Sequence, residues 1–151
     1  MTRGGFDEID KKILMILQKN SRTPLREISR EVGLAESTIY ERIKKLKEKG
    51  VIKKFTVILD PNALGFNVLA FILIKARAGM YGHVAEELKK YPEICEVYET
   101  TGDYDMIVKI RTKNSSELNE FLDRIGSVDG VESTHTMVVL KTHKETTELP
   151  L

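Results

Sequence analysis

Apolar residues recur three and four positions apart through the first fifty residues, then give way to strand-like runs. From Asp7 to Asn20, Ile9, Ile13, Leu14, Ile16 and Leu17 mark a helix, with Asp7, Glu8 and Asp10 at its N-terminus, where carboxylates are favoured. Between Thr23 and Gly50, one set of apolar positions (Leu25, Ile28, Val32) and a second (Ile39, Ile43, Leu46) predict two more helices. Pro24 suits a first helical turn, Thr23 is placed to cap it, and Gly33 allows a sharp turn between the two. Three helices then share a small core. Val51 to Leu59 is a β-rich run, either a wing-like strand or a hinge strand leaving the unit. Asp60-Pro61-Asn62, ending at Gly65, is turn chemistry and the expected boundary between domains 1–60 and 61–151.

Beyond it, strands are expected at Val68 to Ala76, Ile94 to Thr101, Met106 to Thr112 and Val131 to Lys141, and helices at Tyr81 to Tyr91 and Ser115 to Ile125. The order βαββαβ predicts a ferredoxin-like unit with both helices on one side of an antiparallel sheet, in an α+β protein. In VLAFILI, Val68 to Ile74, both alternating sets are apolar. Two helices cover one face only. The other needs a second subunit packed face to face, or else the linker or the N-terminal unit.

Charge divides the chain as the pattern does. The net charge of +1 conceals 14 Lys plus Arg against 9 Asp plus Glu in residues 1–60, and 10 against 14 in the remainder. A basic head on an acidic body is the footprint of a nucleic-acid module joined to something else. With Ile39, Ile43 and Leu46 inward, Ser37, Tyr40, Glu41, Lys44 and Lys45 turn outward, as the second helix of a DNA-binding helix-turn-helix requires. The competing reading is a solvated face of Lys44, Lys45, Lys47 and Lys49. The capped helix and glycine turn before it favour DNA.

No apolar run reaches the roughly 18 residues of a membrane span, and Met1 to Gly5, expected to fray, leads into charge. A cytoplasmic protein is expected. Cys95, alone, is expected to be a small buried strand residue, and the scattered His83, His135 and His143 share no metal-ligand spacing. There is no Walker loop, nucleophile elbow or zinc signature, so neither an enzyme nor a cofactor or metal is expected. Abundant Lys and Glu and one glutamine, Gln18, hint at a thermophilic source.

The motifs resemble those of the Lrp/AsnC, or feast/famine, regulators of bacteria and archaea. The marks are D-x-x-D-x-x-I-L-x-x-L at Asp7 to Leu17, N-S-R-T-P at Asn20 to Pro24 and V-G-L-x-x-S-T at Val32 to Thr38. R-I-x-x-L-x-x-x-G-V-I from Arg42 to Ile52 and T-G-D-Y-D at Thr101 to Asp105 complete the set. The resemblance implies a transcriptional regulator with a (winged) helix-turn-helix and a C-terminal domain for regulation and assembly. Its implied partners are double-stranded DNA, a free amino-acid effector held between dimers near Gly102 to Asp105, and further copies of itself, as a homodimer, tetramer or octamer. Ala35 departs from the serine many relatives carry as a helix cap, a loss of about 1 kcal/mol. The tail from Thr142 lies beyond the firm resemblance and is expected to be mobile.

On this reading Ser37, Thr38, Tyr40, Glu41 and Lys44 lie at base edges, since Glu accepts from cytosine and Lys donates to guanine. Arg42, Lys45 and Lys47 are phosphate candidates, with Arg22 and Arg26 on the preceding helix; an ion pair at the core margin is the other reading of Arg42. For a zwitterionic effector, Asp103 and Asp105 offer acceptors, Gly102 close backbone approach, and Thr101, Thr134 and Thr136 hydroxyls, with Tyr104 and His135 beside them. Without the resemblance, Gly102 to Asp105 is an ordinary hairpin turn. Two other functions stay open: an architectural protein that compacts DNA, and an amino-acid-binding metabolic protein.

Overall fold

The computed structural model describes residues 6–151, so Met1 to Gly5 lie outside it. The described residues divide into two compact units: residues 6–58 with 145–151, and residues 59–144.

The first unit holds α1 (Glu8–Lys19), α2 (Leu25–Val32) and α3 (Glu36–Glu48). Ile13, Ile28 and Ile39, one from each helix, are buried together, with Ile9, Ile16, Leu17, Leu25, Val32, Leu34 and Ile43 around them. So small a core offers little stabilisation, and polar contacts fix the start of α1. Asp7 caps α1 by accepting from the Asp10 N–H at 2.9 Å, and Asp10 accepts from the Asp7 N–H at 3.0 Å. Each carboxylate has a second oxygen, and both of these receive Nη1 of Arg42 from α3, at 2.9 Å each. The Asp10 N–H, and after it the Arg42 guanidinium, holds the Asp7 carboxyl below the ordinary carboxylate range. Asp10 and then Asp7 raise Arg42 in return.

Thr23 does not cap α2. Its hydroxyl donates back to the Asn20 carbonyl at 2.7 Å, and Pro24 occupies the cap position with no side-chain bond. Gly33 ends α2 at φ 78°, where its N–H reaches the Ser29 carbonyl, and Gly50 follows α3 at φ 72°. Ala35 starts α3 without a side-chain cap, as the missing serine implied. Residues 51–59 form no strand: no described strand pairs with them, and the Val51 and Ile52 N–H groups turn back to the Leu46 carbonyl at 2.9 and 3.1 Å.

In the second unit β1 (Val68–Ala76), α4 (Tyr81–Leu88), β2 (Ile94–Glu99), β3 (Met106–Thr112), α5 (Ser115–Gly126) and β4 (Val131–Val138) follow in the expected order. The antiparallel sheet runs β2-β3-β1-β4. Ala70, Ile72 and Ile74 pair with Ile110, Val108 and Met106 on the buried face, where Val84 and Leu88 of α4 and Leu118, Phe121 and Ile125 of α5 close the core. Tyr91 meets Phe121 edge to face at 5.6 Å. α4 stops at Leu88, three residues short of expectation, because Pro92 forces the chain into a turn.

Cys95 is exposed rather than buried. The ladder steps from Ile94↔Ile110 to Glu96↔Lys109, which leaves Cys95 as the extra residue of a bulge on an edge strand.

The glycine turn and the aspartate cap of the head are each testable. A Cβ at Gly33 meets no atom within 4 Å, so Gly33→Ala incurs backbone strain alone. The expected cost is about 1–2 kcal/mol, and calorimetry should show the head melting several degrees lower. Because the Asp7 pKa is depressed on folding, its contribution is complete above the unfolded value near 3.8 and is lost as the pH falls through the folded value. Melting curves between pH 5 and pH 2 should therefore fall less steeply for Asp7→Asn than for the native chain.

Candidate nucleic-acid interface and effector loop

On α3, Ser37, Thr38, Glu41, Lys44 and Lys45 are all exposed, and Tyr40 is 56 % exposed on the shoulder of the same surface. Arg22 and Arg26, ahead of and within α2, are exposed as well. With no side-chain cap at Ala35, the first-turn N–H groups of α3 are not held by a neighbouring oxygen. Small hydroxyls, an aromatic and a carboxylate, followed by two ammonium groups, give one surface both base-edge and phosphate chemistry.

Two of the predicted cations point elsewhere. Arg42 is partly buried and shared between Asp7 and Asp10, so the ion-pair reading describes its geometry. The Lys47 ammonium sits 5.7 Å from the centre of the Phe55 ring, on the segment that leaves the head.

The loop between β2 and β3 is closed by its own backbone. Thr100 donates from its N–H to Asp105 at 2.8 Å and from its hydroxyl to the Tyr104 carbonyl at 3.0 Å, with Gly102 at φ 106°. Thr101, Gly102 and Asp103 are exposed at its tip. Asp105 is not free in the same way. Its N–H donates to the Ile74 carbonyl at 2.9 Å, and its carboxylate accepts from the Ala76 N–H at 2.8 Å, where the β1–β4 register shifts.

Register separates the remaining candidates. His135 pairs with Leu73 on the sheet face away from the helices, and its ring lies 6.2 Å from that of Tyr104. Thr134 and Thr136 pair with Ile74 and Ile72, on the helix-covered face. The three β4 residues therefore do not converge.

Sequence reasoning missed Lys75, whose ammonium lies 5.8 Å from the Tyr104 ring centre. Only the register of β1 reveals that neighbour. A concavity of about 580 Å³ between α4 and α5, lined by His83, Glu87, Tyr91 and Asp123 among others, includes none of the loop residues. No helix of the described residues is long and apolar enough to cross a membrane.

Two family descriptions match the chain: a winged helix-turn-helix DNA-binding domain over residues 6–53 and the Lrp/AsnC ligand binding domain over residues 69–149. The HTH-type transcriptional regulators FL11 of Pyrococcus horikoshii and Pyrococcus furiosus are 73 % and 71 % identical to it over 149 residues, 99 % of this chain and of each relative. Among solved structures, E. coli AsnC superposes with a TM-score of 0.90 at 31 % identity, covering 96 % of this chain and 99 % of that one. A transcriptional regulator from Neisseria meningitidis, solved as a complex with L-Met, gives the same TM-score and identity and covers 96 % of both chains. The chain thus belongs to the Lrp/AsnC family, as a transcriptional regulator in which a DNA-binding helix-turn-helix is joined to a ligand-binding domain.

Proposed function

We propose that the protein binds specific duplex sites as a two-fold dimer, one α3 in each of two successive major grooves, and that a free amino acid alters its assembly or its DNA affinity. The observation that carries the reading is the outward surface of α3, where Ser37, Tyr40, Glu41, Lys44 and Lys45 stand exposed while Arg42 is held against α1. Paired heads reach half-sites about 34–36 Å apart, one turn of duplex.

Two apolar surfaces support the dimer. The helix-free sheet face presents Phe71 and Leu73 half-buried and Tyr98 and Met137 exposed. In the segment after the head, Val57 is 73 % and Ile58 80 % exposed. A second copy supplies cover for the first and a strand partner for the second. Association of dimers through the loop edge then gives tetramers or octamers.

For the effector, the L-Met complex of the Neisseria relative supports an amino acid. Asp103, exposed at the loop tip, is the acceptor for its ammonium. Such a ligand shifts the protein only as far as its affinities for the two states differ.

Affinity for a duplex selected from a random pool, measured against salt, tests the first half. Removing a lysine that neutralises one phosphate lowers the slope of log affinity against log salt by about 1. Lys45→Ala should do so. Arg42→Ala should lower the melting temperature and leave the slope unchanged. A native chain with no preference for the selected duplex over competitor DNA would refute sequence-specific binding and leave compaction.

Thermal shift with each of the twenty amino acids tests the second half, since a ligand at 100 times its Kd adds about 2.7 kcal/mol. Asp103→Ala should lose that shift with the unliganded melting temperature intact. Asp105→Ala leaves the Ala76 N–H without its acceptor and should destabilise the unliganded protein by about 1–3 kcal/mol.

A further inference from the structure

The C-terminal tail does not trail from the domain that precedes it. β4 makes its last sheet hydrogen bond at Val139, whose N–H donates to the Leu69 carbonyl at 2.8 Å, and Leu140 beyond it is 99 % exposed. Residues 145–151 then belong to the compact unit that holds the three helices. The attachment is specific. The Gln18 side chain donates from Nε2 to the Leu149 carbonyl at 3.1 Å, while its Oε1 accepts the Leu149 N–H at 2.7 Å.

A carboxamide is the side chain for this pairing. It presents a donor and an acceptor side by side, as a backbone does, whereas a glutamate only accepts and a lysine only donates. In a chain with 24 Lys and Arg and 23 Asp and Glu, the one glutamine stands where both bonds are needed. Leu14, one turn earlier on the same stripe of α1, is buried outside the three-isoleucine cluster, and Leu151 at the chain end is 42 % exposed, more than half covered.

We infer that α1 carries a docking site for a peptide backbone at Gln18, and that its occupant is the chain's own C-terminal segment. The docked tail gives the head a second tether, hydrogen-bonded at Gln18, besides the covalent connection through residues 51–59. The tether starts from β4, the strand that carries His135. A head tethered at two points has less freedom to lose when it meets DNA, so the tail raises affinity without touching the duplex. This last consequence rests on the DNA-binding reading; the docking does not.

Hydrogen exchange and isotope-edited NMR on the full chain test the docking. The Leu149 amide should exchange at least about tenfold more slowly than an unstructured amide, and Gln18→Ala should abolish the difference. Gln18→Glu, which keeps the acceptor and loses the donor, should give an intermediate rate, so the test survives if Gln18→Ala folds poorly. Free exchange of Leu149 in the native chain would overturn the proposal. So would proximity of Leu149 to α1 seen only in mixtures of labelled and unlabelled chains, which would make the occupant another copy's tail.

For the consequence, a chain ending at Glu148 should bind the selected duplex several-fold more weakly with an unchanged salt slope. Unchanged affinity would remove the coupling. A native chain that protects Leu149 and binds no DNA would refute the DNA reading and leave the docking standing.

Discussion

A peptide N–H that no helix or ladder pairs still seeks an acceptor, and this small protein repeatedly supplies one from a single side chain. Asp7 and Asp10 satisfy each other's backbone at the start of α1 and still have an oxygen apiece for Arg42. Asp105 supplies the acceptor for Ala76 where the β1–β4 ladder slips. Gln18 does for Leu149 what a neighbouring strand does elsewhere. Where no described strand lies alongside, as at residues 53–59, no strand forms despite the β-rich sequence.

These solutions decide which charged groups remain for function. The head carries the basic excess of the chain, yet the arginine in the middle of α3 is committed to α1. The cations that remain for a phosphate backbone are those on its outer surface and on the α2 side. In the loop, likewise, one of two aspartates is structural and the other exposed at the tip. The two carboxylates differ in what the backbone asks of them.

The elements most legible in the sequence are those whose burial is regular. β1 and β3 occupy the residues expected of them: β3 alternates, burying Met106, Val108 and Ile110 and leaving Lys109 and Arg111 on the other face, and its pairing with β1 carries that choice to Ala70, Ile72 and Ile74. The three isoleucines of the head are likewise readable from spacing. Thr23 misleads because its hydroxyl has a nearer acceptor at Asn20, and Cys95 because a bulge is invisible to a period-two pattern. The candidate site is legible at the loop and on α3, where the motifs lie. The faces of Thr134 and His135 and the neighbour of Lys75 depend on pairings between strands far apart in sequence. The tail carries no sign of its anchor, since a single carboxamide has no periodicity.

The reading helix is bracketed by two left-handed glycines, Gly33 before it and Gly50 after it. Its ends are thus set by chain geometry, and its thirteen residues span about 20 Å whatever stands on the outer surface. On the proposed reading, substitution at Ser37, Tyr40, Glu41 or Lys44 would alter what is read without altering where the rod begins or stops. Such a frame permits a lineage to acquire new operators one side chain at a time, with the scaffold held constant.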